Sequence, residues 1–230
     1  MIYTTAPAAY LFDMDGLLLD TERLYLDVGL PLLTALGHSE DAMRTFFLGL
    51  VGSSEAVTHQ HLVDLIGDDS AARQFQANWR ADLKARLAVE VPLRPTVAET
   101  LTELRAGGAR MAVVTSTYGA AARHHLTVAG LIDNFEVVIG GDEVTANKPD
   151  PAPYLQAAAE LGVDAADCAA FEDSDRGITS AMRAGCRAVQ IPDLRPEGAP
   201  LPDLGQHVAR DLRCGVKMVS GMAVLTDTPD

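Results

Sequence analysis

Four short runs rich in Ala, Val, Ile and Phe, each bounded by polar or turn residues, punctuate the chain: Ala8 to Phe12, Arg110 to Val114, Cys168 to Phe171 and Ala188 to Ile191. Their length and their lack of alternation predict strands buried on both faces. A shorter run, Val137 to Ile139, is a fifth candidate. Between them apolar residues recur at helical spacing, as in Val97, Leu101 and Leu104 before the second run and Tyr154, Ala158 and Leu161 before the third. Strand and helix in alternation predict an α/β fold, a parallel sheet with helices on both faces.

Residues from about 18 to 90 break that rhythm. They contain no convincing strand, and apolar positions keep a helical period in Leu26, Leu30 and Leu33, then in Val57, His61, Leu62 and Leu65, then in Phe75, Trp79 and Leu83. The pattern predicts a small all-helical cap at 18–91, inserted in an α/β core made of 1–17 and 92–230. The insert joins the core at Gly16 to Asp20 and near Val89 to Pro95, and two connections make it a hinged lid. The Pro/Gly-rich stretch Pro192 to Gly205 reads as an irregular loop and the acidic tail Thr226 to Asp230 as a frayed end.

Composition narrows the function. Acidic residues outnumber basic ones, 32 against 18, for a formal net charge of −14. A nucleic-acid groove or an anionic membrane surface needs a basic face, so neither is expected as the main partner. No apolar run approaches the roughly 18 to 20 residues that cross a bilayer. Met1 to Phe12 lacks a positive n-region and a cleavage-type site, so the expected location is the cytoplasm. Three cysteines, Cys168, Cys186 and Cys214, are odd in number and far apart. They fit neither a disulfide framework nor a zinc site and read as reduced, buried small hydrophobes.

The ends of the apolar runs carry the chemistry. The first closes in Asp13-Met14-Asp15-Gly16. Two carboxylates at the end of a buried strand call for a cationic partner, because an unpaired buried charge is expensive; a simple Asp-Gly turn is the plain alternative. The second closes in Thr115-Ser116-Thr117, ahead of a helix beginning near Gly119. Hydroxyls and free N–H groups at a helix start form an anion pocket, although a Ser/Thr cap explains them equally well. The third closes in Glu172-Asp173-Ser174. In a parallel sheet these ends gather at one carboxyl edge, where ligands bind in such folds. Four carboxylates gathered there would repel by on the order of 4 kcal/mol for each pair at 4 Å. Magnesium, which takes hard oxygen ligands and keeps spare water positions, would relieve this. Lys148, in Asn147-Lys148-Pro149, can add a fixed positive charge, or lie on the surface as most lysines do.

Asp13-Met14-Asp15-Gly16, Thr115, Lys148 and Glu172-Asp173 stand in the order and approximate spacing of the four signature motifs of the haloacid dehalogenase-like superfamily, which the chain resembles from Leu11 to about Pro192. The fuller string Phe12 to Glu22 resembles the branch with a helical cap after the first motif, which includes sugar-phosphate phosphatases, pseudouridine 5'-phosphatase-like enzymes and β-phosphoglucomutase. The resemblance implies a Rossmann-like core with a helical cap and a magnesium-dependent phosphomonoesterase acting on a small phosphorylated metabolite, in a monomer or weak homodimer. It implies that Asp13 is the nucleophile that forms an aspartyl-phosphate, and that Asp15 is the acid and then the base. Thr115 and the Ser116 N–H would hold the phosphoryl oxygens, with Thr117 beside them, and Lys148 would neutralise charge. Magnesium would lie on Asp13, the Asp15 carbonyl and Asp173, with Glu172 a ligand or a support. The cap would close over the site to exclude water. Its reading loop would run from Gly49 to Glu55, including Gly52 and Ser53, with Thr21, Glu22 and Tyr25 at the hinge side.

The runner-up is a phosphosugar mutase. In β-phosphoglucomutase a basic residue follows the cap-loop glycine that aligns with Gly52; here Ser53, Ser54 and Glu55 stand there, and Tyr25 replaces the hinge-side histidine. A true haloacid dehalogenase needs no metal and lacks the second aspartate, which is present as Asp15. A silent binding module would not keep every catalytic position filled. His59, His61, His124 and His125 sit in no metal-ligand spacing with a carboxylate. No Walker-type loop and no Gly-x-Gly-x-x-Gly after a strand is present, so nucleotide cofactors are not implied.

Overall fold

The apolar runs form a parallel sheet of β1 (Ala9–Phe12), β2 (Met111–Val114), β3 (Val137–Ile139), β4 (Cys168–Glu172), β5 (Arg187–Gln190) and β6 (His207–Val208), in the order β3-β2-β1-β4-β5-β6. The computed structural model describes residues 5–50, 55–195 and 198–221. Strands covered on both faces read as continuous apolar runs, and β1, β2 and β4 are buried throughout. β6 has two residues and neither is buried, so no apolar run marks it in the sequence.

Side chains alternate between faces along each strand. Ala9 and Leu11 of β1, Ala112 and Val114 of β2 and Ala170 of β4 share one face, packed with Tyr154, Ala157 and Ala158 of α7 (Ala152–Glu160) and Ile178 and Ala181 of α8 (Asp175–Arg183). The opposite face is aromatic. Phe12 stacks on Phe171 with centroids 5.1 Å apart and Tyr10 stacks on Phe171 at 6.3 Å. The Tyr10 hydroxyl lies 3.1 Å from the Ser220 hydroxyl, at the end of α9 (Leu212–Val219). The remaining helices between strands are α5 (Val97–Ala106) and α6 (Gly119–Val128).

Met1–Leu19, Leu93–Asp193 and Leu201–Asp230 form one compact unit, and Asp20–Pro92 with Leu194–Pro200 form a second. The second is all-helical among its described residues: α1 (Thr21–Thr34), α2 (Glu40–Leu50), α3 (Glu55–Ile66) and α4 (Asp69–Leu87). Its core joins Leu26, Leu30, Leu33, Phe47, Leu62 and Phe75 around the fully buried Trp79. Trp79 stacks on Tyr25 at 4.2 Å and donates its indole N–H to the Tyr25 carbonyl at 2.9 Å.

Three details depart from the sequence reading. On α3, Leu62 is buried as the spacing predicts, but Val57 and His61 face outward and Thr58 is buried in addition. The buried stripe is therefore narrower than the predicted one. Gly49 lies inside α2 rather than in a loop. The segment 194–200, read from the sequence as part of the core, belongs with the helical unit, where Leu194 packs against the apolar cluster. The tail 226–230 lies outside the described residues.

A Cβ at Gly29 would overlap the Trp79 indole ring. Gly29→Ala is therefore expected to destabilise the helical unit by about 1–3 kcal/mol, the usual cost of overpacking. Trp79 is the chain's one tryptophan, so its fluorescence during urea unfolding reads this unit directly. An unchanged midpoint would contradict the packing described.

Candidate active site

From β1 the chain moves outward through β2 and β3, and later returns to place β4 on β1's other side. Strand order reverses there, and the carboxyl ends of β1 and β4 bound the crevice that such a reversal opens. Asp13 follows β1 and extends its ladder, its N–H donating to the Phe171 carbonyl at 3.0 Å. Gly16 then turns with φ +80°, and a Cβ there would come within 2.5 Å of Asp173 Oδ2. The glycine serves both the turn and the approach of Asp173.

The centre of the crevice is Lys148, 5% exposed. Its ammonium has three protons and three acceptors: Asp13 Oδ1 at 2.5 Å, Glu172 Oε1 at 2.6 Å and the Val114 carbonyl at 2.8 Å. The Lys148 carbonyl accepts from Arg176 at 2.5 Å, which holds the loop in place. Lys148 is thus a buried ion-pair partner and not a surface lysine. Glu172, fully buried, also accepts from the Tyr154 hydroxyl at 2.6 Å on Oε1 and from the Ser174 hydroxyl at 3.3 Å on Oε2. A Cβ at Gly177 would overlap the Glu172 carboxylate.

Burial pushes the Asp13 carboxyl well above its usual range; Lys148 opposes this, and the Glu172 charge adds to it. Burial alone would pull the Lys148 ammonium down, but Asp13 and Glu172 outweigh it and hold the lysine above its ordinary value. The lysine therefore stays charged at any working pH. Burial, then the Glu172 and Asp13 charges, raise the Tyr154 phenol, which keeps its proton.

Asp15, half-buried, has a different environment. Its Oδ2 accepts from Thr117 Oγ1 at 2.7 Å and lies 3.4 Å from Thr115 Oγ1. Two N–H groups near the start of α6 are already engaged: Thr117 N–H donates to Thr115 Oγ1 at 3.0 Å and Gly119 N–H to Asp142 Oδ1 at 2.7 Å. Ser116, exposed, keeps a backbone N–H with no acceptor among the described residues.

A donor oxygen from each of Asp13, Glu172 and Asp173 lies within 4.8 Å of the others. An all-oxygen set of acidic side chains at that spacing fits a hard divalent cation. The structure thus brings together Asp13, Asp15, Thr115, Ser116, Thr117, Lys148, Glu172 and Asp173 in the first unit. Thr21 and Glu22 open α1 in the second unit, where Tyr25 is part of the aromatic core. Gly52 and Ser53 lie outside the described residues, as does Ser54. Cys168 and Cys186 are buried, and burial pushes their thiols up to about 11 and about 12; Cys214, expected to be buried, is half-buried.

Sequence reasoning missed two supports. Tyr154 reads as one more apolar residue of a helix stripe. Gln190, the last residue of β5 and fully buried, donates to Asp175 Oδ1 at 2.9 Å and accepts from Gln206 at 3.0 Å. A glutamine closing a buried strand was the available signal.

Residues 10–191 match the family described as haloacid dehalogenase-like hydrolase. The chain belongs to this family. Among its relatives, a protein of Rhodobacter capsulatus named CbbY is 34% identical over 194 residues, 80% of this chain and 85% of that one. A phosphorylated carbohydrates phosphatase of Thermotoga maritima is 29% identical over 183 residues, 79% of this chain and 83% of that one. In fold, the chain is similar to CbbY from Rhodobacter sphaeroides solved with phosphate, at TM-score 0.65 and 24% identity over 92% of this chain and 96% of that one.

Removing one partner of a buried ion pair leaves the other charges uncompensated, a loss of about 3–5 kcal/mol. Lys148→Met is expected to lower the unfolding free energy in metal-free buffer by that amount, measured by urea titration. A loss under about 1 kcal/mol, the size of a surface pair, would mean that the ammonium is not the keystone of the cluster.

Proposed function

We propose that this haloacid dehalogenase-like hydrolase is a magnesium-dependent phosphomonoesterase that acts on a small phosphorylated metabolite, a sugar phosphate in the first instance. The observation that carries the reading is the pairing of Asp13 with a buried lysine beside two further carboxylates, while Asp15 sits apart among hydroxyls. The Thermotoga maritima relative named as a phosphorylated carbohydrates phosphatase supports the substrate class.

In this reading an Asp13 oxygen attacks phosphorus and the ester oxygen leaves, giving an aspartyl-phosphate. Lys148 offsets part of the cost of burying the Asp13 anion and carries positive charge against the phosphoryl group. The Ser116 N–H and the Thr115 hydroxyl hold phosphoryl oxygens. Asp15 gives its proton to the departing alcohol oxygen; it then takes a proton from the water that opens the aspartyl-phosphate, so phosphate leaves and both carboxylates return to their starting states. The Thr117 hydroxyl, 2.7 Å from Asp15 Oδ2, keeps the acid/base aimed through both steps. Asp13, Asp173, Glu172 and the Asp15 carbonyl would hold the cation, which when bound supplies charge neutralisation for the transferring group. Phosphoryl transfer depends almost wholly on such positioning and electrostatics.

The test is phosphate release from a panel of phosphorylated metabolites with magnesium and with EDTA. Release is expected with magnesium alone. Asp13→Asn, which removes the nucleophile while keeping its shape, is expected to leave below about 1% of turnover, since loss of an essential nucleophile costs several orders of magnitude. Asp15→Ala is expected to slow both phosphate burst and steady state by about 10²–10⁴-fold. Full activity in Asp13→Asn would end the assignment, and conversion of a hexose 1-phosphate to its 6-phosphate without net release would replace it with a mutase.

A further inference from the structure

Tyr154 is a fully buried titratable group that none of the steps above uses. It lies on α7, and strand alternation places it under the site: Glu172 falls on the same face of β4 as Ala170, the face that α7 covers. Its hydroxyl donates to Glu172 Oε1 at 2.6 Å, and its ring lies 5.4 Å from Lys148 Nζ. Packing asks only for the ring, which a phenylalanine would supply. A buried hydroxyl is costly unless it is bonded, and this one is spent on a single carboxylate oxygen.

That oxygen is the one Lys148 also holds. With two donors on Oε1 the Glu172 carboxylate is fixed in plane, and Gly177, with no side chain, leaves it the room to lie against α8 in that orientation. Oε2 accepts only the longer Ser174 bond among the described residues. We propose that Tyr154 is a positioning residue: its hydroxyl, together with Lys148, commits Glu172 Oε1 and so presents Oε2 as the oxygen Glu172 offers to a divalent cation. The inference rests on the phosphatase reading for the cation's role, but it concerns how the site is held and not which ester is cleaved.

Groups that orient a metal-binding carboxylate are worth about 10–100-fold in metal affinity. In Tyr154→Phe the magnesium affinity of the full chain, titrated by calorimetry, is expected to weaken by about tenfold or more. Turnover at limiting magnesium should fall with it and recover at saturating magnesium, with the KM for the phosphoester little changed. A residue that only packs would shift the thermal midpoint and leave the magnesium titration alone. A magnesium affinity within twofold of wild type therefore overturns the proposal whatever happens to stability. If wild type binds magnesium but cleaves no phosphoester, the function assigned above fails and the titration still decides the role of Tyr154. If wild type cleaves esters and Tyr154→Phe titrates like it, only the role of Tyr154 falls. A wild-type chain that binds no magnesium overturns both.

Discussion

One ammonium group organises the carboxyl end of the sheet. Asp13 and Glu172 sit at the ends of adjacent buried strands, and each would be expensive there as an isolated anion. Lys148 Nζ reaches both, and its third proton goes to the Val114 carbonyl at the end of β2. A single side chain thus ties three neighbouring strand ends to one point. Replacing such a buried pair with apolar residues of similar volume is often neutral or stabilising, so stability alone does not account for its presence. Its value lies in holding acidic groups close together and fixed where water is scarce.

Strand geometry decides which groups can meet the lysine. Alternation along β1 puts Asp13 on the face of Leu11, and alternation along β4 puts Glu172 on the face of Ala170. The parallel register sets Phe12 against Phe171, so the residues that follow them are neighbours across the reversal of strand order. α7, which covers that face, brings Tyr154, and the loop before it brings Lys148. Small residues then make the close approach feasible: a side chain at Gly16 would press on Asp173 and one at Gly177 would overlap Glu172. The glycine of the first motif is therefore a turn residue and a spacer together.

The sequence made the sheet legible because buried parallel strands leave long apolar runs. β6 escaped because two half-covered residues carry no such signal. Part of the α3 stripe was misread because Val57 and His61 keep a helical period with Leu65, and only packing selects Thr58 beside Leu62. The candidate catalytic positions were legible as polar residues closing apolar runs. What the sequence hid was the partner of each: that Thr117 turns to Asp15, that Asp142 takes the first amide of α6, and that Tyr154 points its hydroxyl at Glu172. Each of these joins residues distant in sequence, and local patterning does not encode such pairs.

The two aspartates of the first motif, two residues apart, have partners of different chemical kinds. Asp13 faces an ammonium, which only donates and favours the anion. Asp15 faces hydroxyls, which donate to a carboxylate and can rotate to accept from a carboxylic acid. A group that must hold a proton in one half of a reaction and lack it in the other needs a neighbour that accommodates both states; a fixed cation would penalise one of them. Thr117 meets that requirement at 2.7 Å, and Lys148 imposes the opposite requirement on Asp13 at 2.5 Å. Assigning distinct roles to paired carboxyl groups from their contrasting surroundings is a general principle of acid–base sites, and here the contrast comes from the type of donor at each aspartate.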